Sequence, residues 1–478
     1  MAPAQSPRRS ARVRRRLAPV VAVLVAGGLA ACDSASSSSA DPSRNADAKE
    51  VSLTVASNAI AGGKNAAEAE WYSSYVIPRF VEAQKAKGVT VTVKFQPSGV
   101  DDEQYKAKMA LDLKSRSGAD VIALDGIWVG EFAEAGYIRP LADVAGSGVT
   151  SWDGWSQIPK AVQANASYQD KPYGVPAGTD GRVLYFNKKL FAKAGLPQDW
   201  QPSSWQDILD AGARLKGVSG VTPVQINAGT AMGEATTMQG ALPLLVGTGA
   251  EIYQDEKWQG NTQNVRDVLG FYKELVDKGL MDKNFQLGAK GRDESFAAFA
   301  AGKVGILLEG DYFWRSVINP DQGSAPMKSR DADVGYALIP AKSKGAGIRG
   351  QDVVSMSGGG GYFLNPNTKY PQQAWELLAF MSSPDAIKAM LGDTAKVTAR
   401  QDVNTQVLGK DPLLGMISGK VLPLTAYRPG LAVYPQVSQA LQQATADIIS
   451  GKSVDEAAKT YGSAVEKVAG GAEKVASS

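Results

Sequence analysis

The chain has no histidine and only one cysteine among its 478 residues. Without imidazole there is no Ser-His-Asp or Cys-His nucleophilic system and no histidine-based metal site, and a lone thiol forms no internal disulfide. Paired-carboxylate chemistry passes this filter, as does binding without chemistry. Phosphate loops are missing as well. Gly358 to Gly361 is not followed by Lys-Ser/Thr, and Gly451-Lys452-Ser453 has Ala446 where that motif requires glycine. No dinucleotide fingerprint or EF-hand loop is present, so no cofactor and no metal is expected. Beyond the N-terminal segment no Lys/Arg cluster forms a phosphate-backbone footprint, so no nucleic acid partner is expected.

The N-terminus carries Arg8, Arg9, Arg12, Arg14, Arg15 and Arg16, then an apolar run from Leu17 to Ala31 broken only by Pro19, Gly27 and Gly28. That is the layout of a secretory signal, too short and too rich in small residues to span a membrane stably. No acidic residue accompanies the six arginines. Their removal takes the formal charge from +3 to −3, so the basic balance of the whole chain says nothing about its partners. Leu29-Ala30-Ala31-Cys32 resembles a bacterial lipobox, with Cys32 as the lipidation site and residues 1–31 as the lipoprotein signal peptide. Residues 32–49, rich in Ser, Ala and Asp, cannot build a core and read as a flexible stalk.

The remaining length suits two or three compact units. Val51 to Ser57 and Val89 to Phe95 alternate as half-buried strands. Between them Tyr72, Tyr75, Val76, Arg79, Phe80 and Ala83 keep helical spacing, with a kink expected at Pro78. A second helix over about 101–115 leads into the apolar strand 118–124. This β-α-β-α-β order predicts an α/β fold with a mainly parallel sheet covered by helices, and ligands beyond the carboxyl ends of its strands. Asn58, Gln96 and Asp125 lie at or just past such ends. The stretch Lys171 to Lys188 places Pro172, Gly174, Pro176, Gly178 and Gly181 ahead of an apolar strand, and reads as a crossing between two bodies.

Several blocks together are specific. Gly118 to Leu141, the crossing itself, and Asn187-Lys-Lys-Leu-Phe-Ala-Lys-Ala-Gly-Leu followed by Pro202-Ser-Ser-Trp205 resemble the extracellular solute-binding proteins of family 1. So do Phe296 to Trp314, Ser357 to Pro366 and Ala374 to Asp385. The resemblance spans nearly all of the chain beyond the stalk. It implies a two-lobed, type II periplasmic-binding-protein-like fold, each lobe a mainly parallel sheet flanked by helices, with three hinge crossings near 177–181, 335–341 and 393–397. The lobes are then 50–177 with 336–393, and 178–335 with 394–478. The implied role is a lipid-anchored monomer on the extracellular face of a bacterial membrane, which captures a sugar or oligosaccharide in the interlobe cleft and delivers it to an ABC permease. A secreted carbohydrate-active hydrolase working through two carboxylates such as Asp125 and Asp180, and a receptor for a non-sugar solute, are the alternatives.

A sugar needs acceptors for its hydroxyls and an aromatic platform for its C–H faces. Candidate ligand contacts are Asn58, Asp125 and Trp128 in the first lobe. In the second lobe and at the crossings they are Asp180, Arg182, Glu234, Tyr312, Trp314, Gly360, Arg428 and Tyr434. Each has a plainer reading: Trp128 as core, Asp180 as the acceptor of a local turn, Arg428 as a surface residue, Glu234 as part of any surface loop. One of Tyr312 and Trp314 should point into core, because alternate side chains of an extended loop point opposite ways. Glu309 and Asp311 beside them read as solvated turn residues, and Trp258 as surface or core.

Overall fold

The computed structural model describes residues 41–477 apart from 64, 101, 289 and 393. The signal segment, Cys32 and most of the stalk lie outside the described residues. The end of the stalk is tied down: the Gln372 amide donates to the Pro42 carbonyl at 3.1 Å, and Asn45 donates to the Lys369 carbonyl at 2.9 Å. Side chains of the tract and of the body thus each satisfy a carbonyl of the other.

The first sheet begins with β1 (Glu50–Ser57), β2 (Thr90–Pro97) and β3 (Val121–Asp125), all parallel. The helix after β1 is one rod from Ala66 to Ala86, with a π-helical turn at Tyr72–Val76. The distortion expected at Pro78 sits there, where the Ile77 amide reaches back to the Tyr72 carbonyl. The chain leaves this sheet through β4 (Gly174–Pro176) and enters the second through β5 (Arg182–Asn187). There it adds β6 (Thr222–Gln225), β7 (Val304–Gly310) and β8 (Val334–Ala337), and it returns to the first sheet as β9 (Gly360–Leu364).

The strand orders are β2-β1-β3-β9-β4 and β8-β5-β7-β6. Four of the seven pairings in the two sheets are antiparallel, where a mainly parallel pattern was expected, and the cause is local. In each sheet a single strand runs against the rest, β9 in the first and β5 in the second, and each is the strand that arrives from the other sheet. All other strands of the two sheets point their carboxyl ends at the hinge. Every residue of β5 and β7 is buried, which suits middle strands covered on both faces. The helices Gln263–Asp277, Tyr434–Ile449 and Val454–Ala469 pack through Phe271, Leu441, Ile448 and Tyr461 into the core on the second sheet. Among the described residues no helix is long and apolar enough to cross a membrane.

The chain makes its first passage between the sheets over the residues between Pro176, which ends β4, and Arg182, which starts β5. Gly178 bridges Thr398, so the third strand of the hinge runs beside it just past the expected 393–397, whose first residue is not described. The second crossing lies elsewhere. After β8 the chain stays with the second sheet, the Lys342 amide donating to the Gly247 carbonyl at 2.8 Å, and it crosses only at Ser357 to Gly360. Gly335 is a glycine for a different reason: a Cβ there would sit 2.1 Å from the Phe186 ring. The glycine that the hinge requires is Gly359. Its φ is +132°, and a Cβ would lie 2.2 Å from the Gly178 carbonyl oxygen.

Candidate functional site

Where the carboxyl ends of β1 and β3 meet the start of β9, a cavity of about 460 Å³ opens beside the hinge. Asn58, Asp125, Trp128, Asp180 and Gly360 line it, five of the residues picked out from the sequence. Asn58 follows β1 directly and is 8% exposed. Its amide nitrogen donates to the Val100 carbonyl at 3.0 Å and to Asp102 Oδ1 at 3.2 Å, while its Oδ1 is buried without a partner. A buried acceptor with nothing to accept from is ready for a ligand donor.

Asp125 ends β3 and caps the following turn, its Oδ1 accepting from the Ile127 amide at 3.1 Å. Burial raises its pKa, and the Arg428 charge opposes the rise without cancelling it. Trp128 leans on Tyr105 at 6.4 Å between ring centroids. Gly360 pairs with Asp125 across the sheet, and a Cβ there would be 2.5 Å from the Leu124 carbonyl oxygen, so the cavity floor is bare backbone.

Asp180, on the first crossing, does not close a turn of its own loop. Its carboxylate accepts from the Arg182 guanidinium and, at 2.6 Å, from the Gly358 amide, which ties the first crossing to the second. Burial works to raise its pKa, but Arg182 and the Gly358 N–H outweigh it and hold the group below the usual range. About a third of the side chain, 31%, still faces the cleft.

The other candidates fall outside the cavity lining. Arg182 is 6% exposed and already engaged, its Nε donating to Gln239 at 3.0 Å behind Asp180. Glu234, Arg428 and Tyr434 form a cluster: the Glu234 carboxylate accepts from Arg428 at 3.1 Å and from the Tyr434 hydroxyl at 2.5 Å on one oxygen and from the Ser438 hydroxyl at 2.6 Å on the other, while Arg428 Nε is buried without a partner. The cluster sits behind Gly358, next to the Arg428 guanidinium. Trp314, expected as a stacking platform, is core. It is 3% exposed, has Arg330 3.8 Å above its ring and donates to Asp411 at 2.9 Å. Tyr312 takes the opposite orientation, 46% exposed, with the Arg315 guanidinium 5.8 Å from its ring.

Sequence reasoning missed Glu68, Tyr105, Tyr362, Arg315 and Lys396, which also line the cavity. Glu68 stands just past β1, accepts from the Ser57 hydroxyl at 2.5 Å and has its pKa raised by burial. It sits in the first turn of the helix that follows β1, so the strand-end rule that singled out Asn58 does not reach it. Asp311, read as solvated, is 1% exposed; burial and then the Asp180 charge push its carboxyl up to about 6. Its Oδ2 lies 3.5 Å from Arg315 Nε without a hydrogen bond. Among the described residues no group of three or more acidic or cysteine side chains is placed to hold a metal.

The family model of the bacterial extracellular solute-binding proteins matches residues 64–388. A putative binding protein of Brucella abortus (strain 2308) is 26% identical over 339 residues, 70% of this chain and 75% of its own. The sn-glycerol-3-phosphate-binding periplasmic protein of Agrobacterium fabrum (strain C58) is 27% identical over 190 residues, 36% of this chain and 40% of its own. Two solved structures share the fold. The cyclic alpha-maltosyl-1,6-maltose binding protein of Arthrobacter globiformis has a TM-score of 0.68 at 20% identity, covering 88% of this chain and 99% of that one. The sugar-binding protein MalE of Xanthomonas citri has a TM-score of 0.70 at 16% identity, covering 87% and 97%.

Proposed function

From the premise that this chain belongs to the bacterial extracellular solute-binding protein family, we propose that it captures a neutral sugar or oligosaccharide between its lobes, without turning it over, and hands it to an ABC permease while anchored through an acylated Cys32. The observation that carries the ligand class is the cavity itself. Asn58 Oδ1 is an open acceptor, Asp125 and Asp180 are carboxylates facing the cleft, and the rings of Trp128 and Tyr362, each 5% exposed and otherwise packed in the core, border the same space. Hydroxyls and C–H faces in one molecule match that lining. Arg315 and, from the strand of the third crossing, Lys396 border the same space, and a ligand that contacts more of this lining in the closed state than in the open one draws the lobes together.

The glycerol-phosphate-binding relative suggests a second ligand class, and Arg315 and Lys396 are cations suited to it. Four carboxylates on the walls, Glu68, Asp102, Asp125 and Asp180, outnumber them and disfavour a phosphate. A thermal-shift panel of mono- and oligosaccharides with sn-glycerol 3-phosphate separates the two. A saccharide should stabilise the protein by a few kcal/mol at large excess, and Asp125→Ala should weaken that ligand at least about tenfold, near 1.4 kcal/mol. Stabilisation by glycerol phosphate and by no saccharide refutes the proposal.

A further inference from the structure

A second cavity, of about 560 Å³, lies on the other side of Arg315. Arg315 lines both spaces. The strand of the third crossing continues from one to the other, with Thr394 and Ala395 on the second and Lys396 on the first. The far wall of the second cavity comes from the turn after β7, through Ser316, Asn319 and Gln322. Its lining is mostly polar. Asn319 Oδ1 accepts from the Asp321 and Gln322 amides at 3.0 and 3.1 Å, which fixes the backbone of the wall and leaves the Gln322 side chain facing solvent.

Arg315 is the partition, and it is loosely held. Its Nε is buried without a hydrogen bond and stands 3.5 Å from Asp311; one terminal nitrogen makes only a long 3.4 Å contact with Ser316. A partition with free donors is unsuited to closing off a chamber, but suited to binding the hydroxyls of a chain that passes it. Each cavity alone lies within the ~300–1,000 Å³ of small-molecule sites, so the pair offers room well beyond one or two sugar rings.

We infer that the ligand is an oligosaccharide that occupies both cavities and runs past Arg315, so that the second cavity sets the preferred chain length. This rests on the saccharide reading above and deepens it. The test is calorimetry on the wild type and two variants, with linear oligosaccharides of two, three, four and six units drawn from the α-glucan, β-glucan, galactan and mannan series. Gln322→Trp fills the second cavity from an exposed loop, and Thr394→Trp fills it from the hinge side; neither touches the first cavity. For the series that binds, wild-type affinity should rise at least tenfold between two and four units. Both variants should keep the affinity for two units and lose the gain. Affinity independent of length, or a gain that survives in both variants, overturns the inference while leaving the saccharide reading intact. Absence of binding by every sugar overturns both.

Discussion

Asp311 offers a quantitative test of the electrostatics beside the cleft. Asp180 and Asp311 both lie near the Arg182 cation, with Arg428 also acting on Asp180 and Arg315 on Asp311; Asp180 is held below the usual carboxylate range, and Asp311 is pushed from 3.8 up to about 6 by burial and by the Asp180 charge. The charged and titratable groups that face Asp311 are Asp180, Arg315, Arg182, Lys396 and Tyr185. A carboxyl whose folded-state pKa is raised keeps its proton longer when folded than when unfolded. Its contribution to stability is therefore complete below pH 3.8 and is lost as pH rises through about 6. A shift of about 2 pH units at about 1.4 kcal/mol each makes that loss about 3 kcal/mol. With only 1% of the residue exposed, solvent screening removes little of it. Asp311→Asn cannot titrate. The stability of the variant relative to the wild type should accordingly improve by about 2 to 3 kcal/mol between pH 4 and pH 7.5. Urea unfolding of both ligand-free proteins at the two pH values measures it, and titrations common to both, such as those of Asp125 and Glu68, cancel in the comparison. A stability gap that is the same at both pH values would refute the reasoning.

Two further outcomes follow from packing. Trp314→Ala removes a core ring and leaves Asp411 without its indole donor, so it should cost about 3 to 5 kcal/mol; loss of ligand affinity with unchanged thermal stability would instead put the ring in the site. Gly430 lies against the first-lobe turn, the Glu131 amide donating to its carbonyl at 2.8 Å, and a Cβ at 430 would be 2.9 Å from both Gly126 O and Gly130 N. Gly430→Ala should push the two apart and raise the radius of gyration of the ligand-free protein in X-ray scattering. An unchanged radius would show that this contact does not hold the lobes.

Much of the architecture was legible because it rests on short-range signals. The alternation in Val51 to Ser57 and the Pro/Gly spacing of 172–181 act within a few residues, and the structure forms strands at both. The second crossing was misplaced because glycine has two uses. Gly335 makes room for Phe186, Gly359 makes room for Gly178, and nothing local distinguishes a packing glycine from a bending one. In the site, strand ends identified Asn58 and Asp125, since those positions follow from strand direction alone. Glu234, Arg428 and Tyr434 were grouped with them for their chemistry, yet that same chemistry pairs both Arg428 and Tyr434 with the Glu234 carboxylate. Arg315 was passed over because its place on the wall depends on how the chain turns after Gly310.

The single reversed strand in each sheet also governs the order of assembly. β3 waits for β9 to be paired on its far side, and β9 begins more than 230 residues later in the chain, after the whole second sheet has been made. Neither lobe can finish alone: the first needs a strand delivered by the second, and the second starts from a strand that the first sends out. Such long-range closure slows folding. A newly made chain therefore leaves the first sheet open until Gly360–Leu364 is available, about three-quarters of the way along its 478 residues, and the helices Tyr434–Ile449 and Val454–Ala469 must still arrive to cover the second.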